Sequence, residues 1–311
     1  MWRILILCLI ATPALSHPTP EIKAIFDGDH VIFEDGKASI DTPFAIASVG
    51  KLFTTVAFVR LIGRGELYSS DLAADWVPSA ISEGLGGLYA VQLHDLATMT
   101  AGLPDYYDND YIDAIKDMPL EHQTTAFALS FAFGEPILFK SGTGFVYSNT
   151  NYLVLSLAMQ AATGKSYAQI IQDEVIGPAK LENSSVFGSA PLPADFPKGH
   201  ASSRHIQEYY ENQGLADGGI LSSAADLARL YTAIRYGDLV PDHLIGLLTA
   251  DPLGQGYAMG LVVEDGMIGH SGGDVGFSSL VAMDWETGRI AIELYGESDV
   301  ETGWAWGAAR P

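Results

Sequence analysis

Strand-like patterns occupy the two ends of this chain and a helical, loop-rich stretch lies between them, so a sheet here has to be assembled from both ends of the sequence. Glu21 to Phe26 and His30 to Phe33 are separated by Asp27-Gly28-Asp29, a hairpin signal, and Glu34-Asp35-Gly36 turns the chain toward a third strand-like run, Lys37 to Ile40. Near the other end, Gly256 to Glu264, Phe277 to Asp284 and Arg289 to Leu294 read as strands, with turns at Asp265-Gly266 and Thr287-Gly288. Short turns between successive strands make an antiparallel sheet. A helix is expected after the first strands, because Leu52, Phe53, Val56 and Leu61 recur at helical spacing and Gly63 and Gly65 end the run. Further helices are expected over Leu120 to Phe131, Asn151 to Ala162 and Ser166 to Val175, then from a cap at Ser223 through Ile234. Val186 to Ser203 is proline-rich and aperiodic. The pattern predicts an α+β fold, an antiparallel sheet flanked by helices with a mostly helical insertion.

Residues 1–16, MWRILILCLIATPALS, carry one positive charge, a short apolar run and small residues before His17, the pattern of a secretory signal peptide. The run is too short to span about 30 Å of hydrocarbon as a helix, so no stable membrane insertion is expected once it is removed, and a periplasmic or secreted location is. The only cysteine, Cys8, lies inside this leader, which leaves the mature chain without disulfides, thiol catalysis or cysteine-bound metal. Acidic residues outnumber basic ones 38 to 16, for a net charge of -22. Such a field repels phosphate backbones and argues against a nucleic-acid partner.

Three short motifs carry chemistry. Ser48-Val49-Gly50-Lys51 falls where strand gives way to helix. Residues three apart on a helix share a face, about 4.5 Å apart along the axis, so the lysine amine reaches the serine hydroxyl. Free N–H groups at the helix start favour developing negative charge there. An unperturbed lysine titrates near about 10.4, and base strength at neutral pH needs a downward shift of roughly three units, from burial or a nearby cation. The bland alternative is a capping serine beside a solvated lysine. Ser-x-x-Lys arises about once by chance in a chain this long, yet only one of the eight lysines fits it.

Tyr147-Ser148-Asn149 offers a phenol that can carry protons and an amide that both donates and accepts. Tyr107-Asp108-Asn109 and Tyr210-Glu211-Asn212 share its spacing, and any of these tyrosines could simply pack its ring on the core; Gly142 and Gly144 before Tyr147, and the helix after it, favour the first. His270-Ser271-Gly272, running into Gly273, is the only His-x-Gly among eight histidines. Glycines there would let backbone N–H groups approach a substrate oxygen; the alternative is a histidine satisfied in a tight turn. Two look-alikes fall away. Lys140-Ser141-Gly142 sits among turn residues. Gly269-His270-Ser271-Gly272-Gly273 fits a nucleophile elbow, but no histidine follows Ser271 as that fold requires.

In this order the three motifs resemble those of the class C β-lactamase and penicillin-binding-protein-like serine hydrolases, a superfamily that includes D-alanyl-D-alanine carboxypeptidases, D-aminopeptidases and esterases. Leu96 to Pro104, Gly218 to Ser223 and Gly276 to Ser279 add to the likeness, which covers nearly all of the mature chain. The resemblance implies a β-lactamase/transpeptidase-like domain over 17–311, with a sheet lobe of about 17–70 and 214–311 and a helical lobe of about 71–213. It implies Ser48 as the acylated nucleophile, Lys51 and Tyr147 sharing base and acid roles, Asn149, His270, Ser271 and Gly272 as substrate-binding, and the backbone N–H groups of Ser48 and Gly273 as the oxyanion hole. No metal or other cofactor is implied, and the partner is a small-molecule or peptide substrate. Met99 stands where many relatives have histidine, Ser141 replaces a common proline, and both terminal helices look short or absent. The expected activity is acyl-serine hydrolysis of a peptide, amide or ester, carboxypeptidase- or esterase-like; histidine in the third motif inclines away from β-lactamase proper. A non-catalytic penicillin- or peptidoglycan-binding module is the alternative of a different class.

Overall fold

The computed structural model describes residues 21–115, 118, 123–194, 196–200 and 214–310. The expected leader with Cys8, the start of the helix placed from Leu120, and the Tyr210 motif lie outside the described residues. Among the described residues nine strands form two sheets: β1 (Glu21–Asp27), β2 (His30–Gly36), β3 (Phe44–Ala45), β4 (Ser185–Val186), β5 (Ile220–Ser222), β6 (Val262–Glu264), β7 (Met267–Asp274), β8 (Phe277–Asp284) and β9 (Arg289–Tyr295). The larger sheet is six-stranded, in the order β2-β1-β9-β8-β7-β6, with every pair antiparallel. Its two halves join where β1 pairs with β9, Ala24 opposite Ile292. The sheet is therefore built from both ends of the chain.

The Lys51–Gly63 helix is apolar nearly all round, as a helix enclosed on every side must be. Leu52, Phe53, Val56 and Phe58 share one core with Ile22 and Ile292 of the sheet and with Leu153 and Val154 of the Thr150–Thr163 helix. On the sheet's other face a smaller cluster joins Ile25, Leu280 and Ala291 to Ala305 and Ala309, at the short C-terminal helix Trp304–Ala308. No helix among the described residues is long and apolar enough to cross a membrane.

Several sequence expectations need correction. Lys37 to Ile40 is bend and turn rather than strand, because the chain leaves the sheet edge after Gly36. Of Gly256 to Glu264 only Val262–Glu264 pairs as strand. The helix placed over Leu120 to Phe131 is, where described, two short pieces, Thr125–Leu129 and Ser130–Ala132. His270-Ser271-Gly272 lies within a strand, Met267–Asp274, despite its glycines, held by a full ladder to β8. The three-stranded sheet β3-β5-β4 was not foreseen, since two- and three-residue strands leave no periodic signal.

Candidate active site

Two features of the fold bring the motifs together. Strand β6 pairs with β7 only as far as Gly269, so from His270 onward β7 has β8 on one flank, and Gly272 on this stretch packs against Ile46 and Ala47. The small sheet does the rest. Phe44 pairs with Ser222, and the Ile46 N–H donates to the Ile220 carbonyl at 3.2 Å, which brings Ala216 to Gly219 alongside the Ser48 turn. That turn is a 3-10 segment, Ala47–Gly50, leading into the helix at Lys51, with Ala47 held at φ 45°. A non-glycine residue at positive φ is uncommon and clusters at functional sites.

Lys51 is completely buried. Its Nζ lies 3.0 Å from Ser48 Oγ, 2.8 Å from Asn149 Oδ1 and 2.6 Å from the Asp217 carbonyl oxygen. The last two can only accept, so they take two N–H bonds of the amine. Whatever occupies the third position, a proton or a lone pair, faces Ser48. Nζ also sits over the rings of Tyr147 and Tyr152, 5.0 and 5.5 Å from their centroids. Tyr147 is 37% exposed and meets Lys51 through its π-face; among the described residues no hydrogen bond joins its hydroxyl to Ser48 or Lys51.

Asn149 is itself held by Asp105, whose Oδ1 accepts the Asn149 backbone N–H and whose Oδ2 accepts Nδ2, both at 3.0 Å. The Asp217 carboxylate accepts the buried Tyr106 hydroxyl at 2.8 Å. Burial raises the pKa of both carboxyls above the usual range, and the charge of Asp217 adds to this at Asp105, while Lys51 opposes it at each. Asp105, Tyr106 and Asp217 were missed in the sequence. The quoted similar stretches end at Pro104 and begin at Gly218, one residue short of each aspartate.

An open cleft lies over this centre. Ser48, Asn149, Tyr106, Tyr107, Asp217, Gly218, Gly273 and Asp274 line it. The structure thus brings Ser48, Lys51, Tyr147 and Asn149 together, and sets Gly273 with Ser48 on the cleft wall. It places the rest of the third motif differently. His270 is 4% exposed, its Nε2 3.3 Å from the Tyr257 hydroxyl and its Nδ1 against the Ser271 carbonyl, with its ring 6.0 Å from that of Tyr147. Ser271 is exposed. Gly272 faces protein: a Cβ there would fall 2.4 Å from the Ile46 carbonyl oxygen. Met99, buried at φ 61°, lies beneath the second motif and accepts the Ser148 N–H and Asn151 Nδ2 on its sulfur at 3.4 Å. Ser141 donates to Asp95 at 2.6 Å.

Burial, reinforced by the nearby Lys51 charge, pushes the His270 pKa down to about 4 from an ordinary 6.5. Between those values the unfolded chain binds a proton that the folded one refuses. His270 therefore contributes its full share of stability above pH 6.5 and loses it as the pH falls toward 4, a change of about 3 kcal/mol. Urea unfolding at pH 7.5 and 4.5 should show a markedly smaller acid loss for His270→Gln than for the wild type; parallel losses would refute this.

A buried lysine thus lies bonded to a serine one helical turn away, beneath an open cleft and beside a tyrosine and an asparagine. The Beta-lactamase family model matches residues 23–296, and the chain belongs to that family. It is 26% identical over 275 residues to penicillin-binding protein 4* of Bacillus subtilis (strain 168), covering 76% of this chain and 57% of that protein, so it spans little more than half the length of this curated relative. A D-stereospecific amidohydrolase from Streptomyces sp. superposes with a TM-score of 0.79 at 23% identity, over 90% of each chain. A penicillin-binding protein from Bacillus halodurans does so at 0.78 and 22%, over 93% of this chain and 94% of that one. These structures share the antiparallel sheet with flanking helices.

Proposed function

We propose that this hydrolase cleaves an amide, peptide or ester through an acyl-Ser48 intermediate, and that it does so after export to the periplasm or the exterior. The observation that carries the reading is the bonding of Lys51. With two N–H groups donated to Asn149 and Asp217, a Lys51 amine that has given up its third proton would have its lone pair on the Ser48 hydroxyl. As Ser48 Oγ attacks the carbonyl carbon, its proton passes to Lys51. The carbonyl π-electrons move to oxygen, where the N–H groups of Ser48 and Gly273 would hold the charge. Collapse breaks the scissile bond, and the departing amine or alcohol takes the proton, with Tyr147 as the exposed donor-acceptor between Lys51 and the cleft. Water then attacks acyl-Ser48 with the same base and returns the enzyme. Asn149 keeps one Nδ2 hydrogen for the substrate carbonyl.

The cleft also favours one end of the substrate range. His270 is neutral above about pH 4, and Asp217 and Asp274 line the wall. With His270 uncharged, the third motif offers no cation to a free carboxylate beside the scissile bond, so we favour amides and esters over carboxypeptidase substrates or β-lactams. The D-stereospecific amidohydrolase among the structural relatives agrees with this preference.

The test is mass spectrometry after a fluorophosphonate probe. One equivalent of label on Ser48 in the wild type, and none in Ser48→Ala, is expected. Label persisting in the variant would remove Ser48 from the mechanism. Export is checked separately, by the N-terminal sequence of the protein recovered outside the cytoplasm, expected to begin at His17.

A further inference from the structure

We infer that Asp105 is a positioning residue of the reaction: its carboxylate fixes which way round the Asn149 amide lies, and so directs the Lys51 lone pair at Ser48. This rests on the reading of Ser48 and Lys51 as the acylating pair. An asparagine amide is nearly symmetric in shape but not in chemistry, since one end accepts and the other donates. One end lies 2.8 Å from Lys51 Nζ. A neutral amine by itself does not settle which, because it can donate a hydrogen or accept one. In the flipped arrangement Nδ2 would donate to the amine, the lone pair would be spent on Asn149, and an N–H would point at Ser48 in its place.

Asp105 closes off that arrangement. Its Oδ1 accepts backbone N–H groups from Asn149 at 3.0 Å and Tyr107 at 3.3 Å, and its Oδ2 accepts Asn149 Nδ2 at 3.0 Å. Three donors converge on one side chain, and an ionised carboxylate accepts at both oxygens. A flipped Asn149 would set Oδ1 against Oδ2 of the carboxylate, two acceptors in contact. Asp105 does not itself bond to Ser48 or Lys51, so its influence on the reaction passes through Asn149.

Asp105→Asn isolates this role, because it keeps the shape and replaces one acceptor by a donor. The new oxygen satisfies the two backbone N–H groups, and the new NH2 then faces Asn149 and favours the flipped amide. Acylation by a chromogenic ester should fall in kcat by about 10²-fold with KM within roughly threefold, the scale of a displaced catalytic group. In an Asn149→Ala background the same substitution should cost less than about threefold, since the group it acts through is gone. Thermal unfolding monitors the fold, and Asp105→Ser, which keeps only a hydroxyl acceptor, is read in the same cycle should Asp105→Asn not fold. A wild-type kcat in the Asp105 variants, or an undiminished loss without Asn149, would overturn the inference. Either result alongside inactive Ser48 and Lys51 variants leaves the acyl-serine reading standing; an active Ser48→Ala removes both.

Discussion

Replacing Lys51 by methionine is expected to lower the acylation rate by about 10³- to 10⁴-fold, the upper range of what a positioned base contributes. Methionine fills a similar space in a site where the native side chain is wholly buried, and it removes a buried amine, so the core stays packed. The Asn149 and Asp217 oxygens each lose a donor, at roughly 1–3 kcal/mol apiece, offset in part by no longer burying a polar amine. Lys51→Arg separates base from charge. Arginine remains a cation at every working pH and cannot take the Ser48 proton, so it should be as inactive as methionine. Single-turnover kinetics with a chromogenic ester makes the comparison. If either variant acylates within threefold of the wild type, Lys51 is not the base.

Adjacent glycines of the third motif should behave in opposite ways. An alanine Cβ at Gly272 would lie 2.4 Å from both the Ile46 carbonyl oxygen and Ser279 Oγ, and 3.1 Å from Ala47 Cβ. Ser279 donates to that same carbonyl at 2.8 Å, a bond that links β8 to the residues just before Ser48. Gly272→Ala is therefore expected to break the bond and push β7 from the Ser48 turn, at a cost of about 3 kcal/mol, together with a large loss of activity. At Gly273 a Cβ meets nothing within 4 Å, and stability should be almost unchanged. Thermal unfolding of the two variants decides the matter: equal melting temperatures would mean that Gly272 is not the point where strand and nucleophile turn close together.

These two glycines show how the site was and was not legible. Glycine after His270 was read as room for a backbone N–H near a substrate. That suits Gly273, which lines the cleft, whereas Gly272 is glycine because another segment of backbone passes against it. His270 was read as part of the substrate surface, and burial against Tyr257 places it behind Tyr147 instead. Asp105 and Asp217 were passed over because nothing near them in sequence distinguishes them from other loop aspartates. Their meaning comes from Asn149 and Lys51, which are 44 and 166 positions away in the bonds that matter.

By itself the sequence determined most of the strands of the large sheet, the buried helix and the pairing of Ser48 with Lys51. Each of these follows from a local rule: alternation of two, a period of 3.6, glycine at turns, and the one-turn reach of a helix. Tertiary structure alone decided that the Asp217 carbonyl and the Asn149 amide occupy the lysine's other bonds, because short strands with no periodic signal deliver them. It also decided that Tyr147 presents its ring face to the amine and that His270 is kept neutral. Hydrogen-bond direction and burial are properties of what surrounds a group, and in this fold those surroundings come from segments far apart in the chain.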